Sequence, residues 1–261
     1  MPSTYPIVLY DNIFSGSSLS ASATSAGYSV DNLDDYRSYT FWQAPSSGTV
    51  WIKCHCTAAR AANMIGIVGH DLFSKGATIS VQHFSSDSVT AADWATALAG
   101  FTPTDDYALL KPITPSTDLW WKITVECSTL AKIACVLLGE KLQFPGKPQV
   151  PLEPYSVGIE AETNNSKTGH ILGSILRYRP VQISHKIAPA ESNYTWFTTT
   201  FWNFWLNHGS EMKPFFYAMD LDTYPDDVFW MRLADDAAYA LPMEMSGRVE
   251  AFTINLVGAL E

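Results

Sequence analysis

Hydrophobic and polar positions alternate along much of the first half of this 261-residue chain, with the period of a β-strand. The alternating segments, together with short apolar runs bounded by glycine, predict strands at 49–56, 63–69, 77–84, 120–126 and 131–138. Strands at this spacing are typical of a β-sandwich. Seven apolar residues of these strands are expected in its core: Ile65, Ile67, Val81, Ile123, Val125, Val136 and Leu138. Short helices or helical turns are predicted at 31–35 and at 90–98.

A proline-rich segment separates the two halves of the sequence. Residues 144–154 contain four prolines and one glycine. Proline fixes the backbone φ angle and has no N–H to donate to a sheet, so this segment predicts an extended connector. We therefore expect two domains, residues 1–145 and residues 146–261.

The second half also has strand patterns, at 156–161, 174–185, 213–220, 228–233 and 248–257. It contains in addition one strong helical pattern at about 192–208, where Ser192 is a candidate N-cap and Gly209 fits the position after the last turn. The predicted fold class is therefore mainly β, with a β-sandwich followed by a β-rich domain that contains one aromatic α-helix.

The predicted helix carries aromatic side chains over more than one face, which requires burial on several sides. Two alternatives remain open. The helix is enclosed by its own domain, or it also contacts another subunit. Under the second alternative the candidate interface residues are Trp196, Trp202 and Trp205. In either case we expect one side of the helix to pack on the strands at 213–219 and 248–257.

Composition and net charge exclude several classes of protein. Hydrophobic residues make up 47% of the chain and charged residues only 16%, which excludes intrinsic disorder for most of it. The net charge of −10 argues against nucleic acid as a partner, because a phosphate backbone needs a basic face. No apolar run reaches 18 residues, and the start lacks a basic region followed by a long apolar one, so we expect no transmembrane helix and no signal peptide. The four cysteines are expected to be reduced, half-buried thiols: Cys54, Cys56, Cys127 and Cys135.

The sequence contains no nucleophile elbow, zinc-protease motif, phosphate loop or dinucleotide fingerprint. His70 and Asp71 are adjacent, but neighbours on an extended chain point to opposite faces. The acidic pairs at 105–106, 226–227 and 235–236 lack the alternating oxygen ligands of a calcium loop. No catalytic, metal or cofactor residue is predicted, no cofactor is expected, and an enzyme is not expected.

Several segments of the first half carry a resemblance to a known family. Residues 30–33, 40–42, 50–53, 61–72, 76–81 and 136–145 resemble the discoidin-like (galactose-binding-like) jelly rolls of bacteriophage tail proteins. The resemblance covers residues 1–145 and implies a jelly-roll β-sandwich there.

The second half resembles the C-terminal part of phage tail-tip and distal-tail proteins. The residues that carry this resemblance are 213–216, 224–232 and 248–258, the first of them following the aromatic helix. The resemblance implies a structural protein of a phage or prophage tail tip or baseplate, located in the virion and assembled in the host cytoplasm. It implies a homo-oligomeric ring, with a hexamer favoured over a trimer, and contacts with tube, hub and fibre proteins.

Two other functions remain open as alternatives. A carbohydrate-binding module for adhesion to host glycans would need exposed aromatic residues at the jelly-roll loops, and the candidates are Trp42, His70 and Trp94. A glycan hydrolase would need two carboxylates converging on one cleft.

Overall fold

The computed structural model describes residues 5–85, 93–189, 194–241, 249 and 251–260. Within these residues the chain forms two compact units: the first unit is Ile7–Leu142, and the second unit is Gln143–Glu261 together with Met1–Pro6. The sequence pattern placed the domain boundary at 145–146, inside the proline-rich segment.

The fold is mainly β, as predicted. The strands of the first unit are β1 (Ile7–Leu9), β2 (Ser18–Ala21), β3 (Trp42–Gln43), β4 (Gly48–Val68), β5 (Thr78–Phe84), β6 (Ala95–Phe101), β7 (Leu109–Cys127), β8 (Lys132–Ile133) and β9 (Cys135–Gly139). A 3-10 helix spans Val30–Asp34 and is capped by the Ser29 side chain, which accepts a hydrogen bond from the Asp31 N–H. The strand β10 (Leu142–Gln143) follows at the division between the units.

The main sheet of the first unit has the strand order β2-β4-β7-β5-β6, and β9 pairs with the second half of β4. Two predicted strands, at 49–56 and 63–69, are thus parts of the single long strand β4. The predicted helical segment 90–98 is wrong where the structure describes it, because Ala95–Phe101 forms the strand β6; residues 90–92 lie outside the described residues. Pairing with β5 overrides the local alanine-rich composition there.

The first unit is a β-sandwich of the jelly-roll class with a continuous apolar core. All seven core positions that the strand alternation predicts are buried in it: Ile65, Ile67, Val81, Ile123, Val125, Val136 and Leu138. Burying side chains of this size contributes roughly 1.5–3 kcal/mol each, so the core needs no disulfide to be stable. The four cysteines are buried free thiols.

The strands of the second unit are β11 (Gly146–Pro148), β12 (Ser156–Val157), β13 (Glu160–Asn165), β14 (Ile171–Pro189), β15 (Phe215–Ala218), β16 (Val228–Leu233) and β17 (Phe252–Leu260). They pair in the order β15-β16-β17-β14-β11, with β12 and β13 also paired to β14. The predicted strand 248–257 therefore lies further along the chain, and the strand 174–185 is longer at both ends.

The aromatic helix (194–207) consists of an α-helical turn Tyr194–Trp196, a π-helical segment Phe197–Phe201 and an α-helix Trp202–Asn207, followed by a 3-10 turn Gly209–Glu211. In the π-helical segment the Trp202 N–H donates to the carbonyl of Phe197, and Thr199 donates its hydroxyl to the carbonyl of Thr195 at 2.6 Å. Such back-bonding by threonine competes with regular helix bonds and accompanies local irregularity. The candidate cap Ser192 lies outside the described residues.

Three phenylalanines bury one side of this helix. Phe201 contacts Phe252 of β17 with ring centroids 4.6 Å apart, and Phe204 contacts Phe215 of β15 at 5.2 Å. Phe197 also contacts Phe252, at 5.5 Å. The helix therefore packs on β15 and β17, as predicted.

The buried His208 makes the second unit sensitive to acid. Its Nε2–H donates to the carbonyl of Pro214 at 3.0 Å, and burial lowers the pKa of His208 to about 4. In the unfolded chain the pKa of histidine is about 6.5, so the unfolded state takes up the proton first as the pH falls. Burying the neutral ring therefore contributes its full share of the unfolding free energy above pH ~6.5. This contribution is lost as the pH falls towards the pKa of His208 in the folded state.

We expect the parent protein to lose on the order of 2 kcal/mol of unfolding free energy through His208 between pH 7.5 and pH 5. In a His208→Gln variant the amide can still donate to Pro214 but does not titrate, so the difference between the two pH values should be smaller by that amount. Urea unfolding of both proteins at both pH values measures this. An equal pH dependence of parent and variant would contradict the assignment.

Candidate functional site

The outer face of the main sheet of the first unit is lined by aromatic and basic side chains. Along β4, Val50, Ile52 and Cys54 point into the core, so the residues between them point outward. The same alternation holds for β7 and β5. The outward side chains are half-buried on all three strands, over 51–55 of β4, 120–124 of β7 and 80–84 of β5. The sheet therefore presents this outer face as a partly exposed surface.

Strand register orders the outer face into rows. Lys53 of β4 lies directly opposite Lys122 of β7, and this row continues to Ser20 on β2 and Gln82 on β5. The next row places His55 opposite Trp120, and their rings stack with centroids 4.0 Å apart and planes inclined by 13°.

Two further tryptophans contact the paired lysines. The Nζ of Lys53 lies 4.2 Å from the ring centroid of Trp51 and 5.4 Å from that of Trp94. The Nζ of Lys122 lies 4.4 Å from the same Trp94 ring. Both ammonium groups are therefore within cation–π distance of Trp94, the residue that precedes β6. We call this surface the tryptophan face and define it as Trp51, Lys53, His55, Trp94, Trp120 and Lys122.

The two lysines repel each other across the strands. Like charges directly opposite in an antiparallel pair are destabilising. Burial, followed by the charge of Lys53, lowers the pKa of Lys122. Neither lysine forms an ion pair with a carboxylate in the described part of the chain. The tryptophan face therefore concentrates positive charge on a chain whose net charge is −10.

Of the three residues predicted to contact a glycan, only Trp94 is on this face. Trp42 is 0% exposed, lies in the core and donates its Nε1–H to Thr24, so it is withdrawn as a candidate. His70 is 4% exposed, and burial lowers its pKa, so it is also withdrawn. Trp42 precedes the first predicted strand and His70 follows the second, and such flanking positions do not distinguish a buried ring from one at a loop tip.

The three tryptophans predicted as a subunit interface have different environments. Trp196 is half-buried against Phe144 and Phe201 of its own unit. Trp202 is 39% exposed and contacts Tyr239, and Trp205, half-buried, contacts the same tyrosine. Trp202 thus has the most surface available to another subunit, and the interface itself stays a prediction.

One cluster in the first unit has the residue types of a hydrolase triad. Asp118 lies 2.6 Å from Nδ1 of His83, and Ser116 lies 3.1 Å from the same nitrogen while donating its hydroxyl to Asp118. A nucleophilic triad needs the hydroxyl and the carboxylate on opposite ring nitrogens. The cluster is therefore a closed hydrogen-bonded network. No group of three or more possible metal ligands is found in the ranges that the structure describes.

A cleft of about 350 Å³ lies on the second unit, lined by residues that include Ser156, Gln182, Ser184, Asp236 and Asn255. Its lining contains no aromatic ring, in contrast to the tryptophan face. Among the helices described, none is long and apolar enough to cross a membrane.

Of the six residues of the tryptophan face, only Trp94 was predicted from the sequence as a ligand contact. The strands that carry Trp51 and Trp120 were predicted, and so was their alternation. The register that brings Lys53 opposite Lys122 pairs residues 69 positions apart in the sequence, and alternation alone does not determine it.

No protein-family model matches the chain, and no curated protein is similar to it in sequence. Solved structures with a similar fold include chitosan-binding module 1 of a chitosanase/glucanase from Paenibacillus sp. IK-5, at 18% identity and a TM-score of 0.41; the match covers 49% of this chain and 98% of the module. The CBM32 of AlyQ, in complex with 4,5-unsaturated mannuronic acid, has 20% identity and a TM-score of 0.39 over 50% of this chain and 96% of that one.

A GH29 fucosidase mutant from Ruminococcus gnavus, in complex with fucose, is also similar, at 17% identity and a TM-score of 0.42. The match covers 50% of this chain and only 27% of the fucosidase. What each of these proteins binds is a property of that protein.

Proposed function

We propose that the first unit is a saccharide-binding β-sandwich and that the tryptophan face is its binding surface. The observation that carries the proposal is the presence of Trp51, Trp94 and Trp120 on one outer sheet face, all half-buried, with polar side chains between them.

Tryptophan suits a sugar because its ring is flat, apolar and polarisable. A pyranose ring has C–H groups on its faces and hydroxyls around its edge, so one face can lie on an indole while the edge forms hydrogen bonds. Ser20 and Gln82 continue the lysine row and supply neutral donors and acceptors beside the rings. Partly exposed aromatic side chains with a few polar groups between them are the usual lining of a binding site.

We expect Trp51→Ala and Trp120→Ala each to weaken saccharide binding about tenfold or more, equivalent to about 1.4 kcal/mol. The conservative variants Trp51→Phe and Trp120→Phe keep an aromatic ring and should retain part of the affinity. A glycan array identifies the ligands, and isothermal titration with the best one measures the affinities.

Tyr39→Ala is the matched control, because Tyr39 is an exposed aromatic residue of the same unit in the loop that lies against Gly69, beyond the far end of β4. It should bind like the parent. Melting temperatures show whether the variants are folded. Folded alanine variants with parental affinity, or a folded parent that binds no saccharide on the array, would refute the proposal.

A second candidate function is structural, as a subunit of a larger assembly, and it is favoured by a separate observation in the second unit. The hairpin arm (160–178) consists of β13 and the first half of β14, and nearly all of its residues are exposed. Ile171 and Ile175 are 75% and 71% exposed, and Leu172, Leu176 and Tyr178 are exposed as well. One edge of β14 over Ile171–Tyr178 pairs with β13. The opposite edge pairs with β17 only over Arg179–Ile187, so over Ile171–Tyr178 it has no strand neighbour among the described residues.

An apolar hairpin with an open edge is a template for pairing with another chain. We propose a second copy of this chain as the occupant. Arg177 and Glu162 pair across the arm, so it carries both charge signs and can face a copy of itself without net repulsion. A homo-oligomer of this kind is what the phage-tail resemblance implies.

Light scattering after size exclusion tests this candidate. We expect the parent to form oligomers in a concentration-dependent manner and Ile175→Asp to remain monomeric with an unchanged melting temperature, because its side chain is exposed in the monomer. Tyr224→Asp, an equally polar change at an exposed residue of the same unit, is the control. A parent that stays monomeric at all concentrations would remove this candidate.

A further inference from the structure

We propose that the saccharide bound on the tryptophan face is acidic, and that Lys53 and Lys122 together hold its carboxylate. This inference rests on the proposed function, since it assigns the class of saccharide to the same surface.

The lysine pair is the feature that a neutral ligand leaves unexplained. Lys53 and Lys122 are direct cross-strand partners on one face, and both ammonium groups lie over the Trp94 ring. A sheet would be more stable with opposite charges or neutral residues at such a pair. An anion bound between the two ammonium groups would offset their repulsion. We therefore infer that the lysine pair serves to bind an anionic ligand.

No carboxylate among the described residues forms an ion pair with Lys53 or Lys122. The acidic side chain on the same outward side of β7 is Glu126, four residues beyond Lys122 and therefore about 13 Å along the strand. The row itself continues into Ser20 and Gln82, which are neutral. The row therefore offers an external anion two ammonium groups flanked by neutral polar side chains.

A hexuronic acid combines the two groups that this face can bind, a carboxylate and an apolar ring face. Its carboxylate is attached directly to the pyranose ring, so the charge and the apolar ring face are separated by one bond. The Nζ atoms lie 4.2 and 4.4 Å from the centroids of the Trp51 and Trp94 rings. A carboxylate between the lysines would therefore bring its sugar ring beside an indole, and its two oxygens can accept from both ammonium groups.

Single-stranded nucleic acid also combines flat rings with anions. It is the less favoured occupant, because a phosphate backbone needs a continuous basic track, whereas this face offers an isolated pair of lysines on a chain with net charge −10. It is included as an outcome of the test.

The test compares polyuronates with their carboxyl-reduced counterparts, which keep the same backbone and linkages but are neutral. Polymers of galacturonate, mannuronate and glucuronate, each in both forms, and a thymidine oligonucleotide are titrated into the full chain by isothermal calorimetry. The variants are Lys53→Met and Lys122→Met, which keep the aliphatic stem. Lys111→Met is the matched control, since Lys111 also lies over an aromatic ring, that of Phe101, in the other half of β7.

We expect at least one polyuronate to bind tenfold or more tightly than its reduced form. Either variant on the face should abolish that preference, and Lys111→Met should leave it unchanged. The preference should also decrease as salt rises from 50 to 500 mM, because screening weakens the charge contacts but not the stacking. Both variants should melt no lower than the parent, because each removes a repulsion.

Equal, lysine-independent binding of the acidic and reduced polymers would overturn this inference and leave the proposed function in place. Lysine-dependent binding of the oligonucleotide without binding of any polyuronate would overturn it in favour of nucleic acid. A folded parent that binds neither form of any polymer and no glycan on the array would refute the proposed function together with this inference.

Discussion

The pairing of β4 with β7 determines both the interior of the first unit and the surface proposed to bind a ligand. The two strands run antiparallel over Gly48–Val68 and Leu109–Cys127, and their register sends Ile52 and Ile123 into the core. The same register sends Lys53 and Lys122 outward as direct partners. A shift of one residue would exchange the two faces of a strand, so the apolar core and the basic, aromatic surface are specified by one constraint.

The second unit depends on β14 in a similar way. One part of this strand is enclosed between β17 and its other neighbours and buries Val181, Ile183 and Ile187. The other part, Ile171–Tyr178, extends past the end of β17 with apolar side chains that remain exposed. The strand thus passes from a core element to the hairpin arm without a break, and the arm is the part that we propose to pair with a second copy of the chain.

Alternation and local composition were sufficient to predict the long strands β4, β5, β14 and β17 in part or in full, the seven core residues of the first unit and the packing of the aromatic helix on β15 and β17. The short strands β1, β2 and β3 and the first half of β7 were not predicted. Local composition failed at Ala95–Phe101, where pairing with β5 outweighs helical propensity. It also failed at Trp42, which was expected to be an exposed loop residue and is buried in the core. The face of a strand that points outward follows from tertiary pairing, and the grouping of Trp51, Trp94 and Trp120 could not be predicted without it.

The central claim is that a saccharide lies on Trp51, Trp94 and Trp120, and the indole N–H signals of the nine tryptophans test it directly. After assignment by single Trp→Phe variants, an acidic oligosaccharide is titrated into ¹⁵N-labelled protein. The account predicts that the signals of these three residues shift with a common dissociation constant, while those of the enclosed Trp42 and of Trp202 in the second unit stay in place. Shifts confined to other tryptophans, with these three unchanged at saturation, would contradict it.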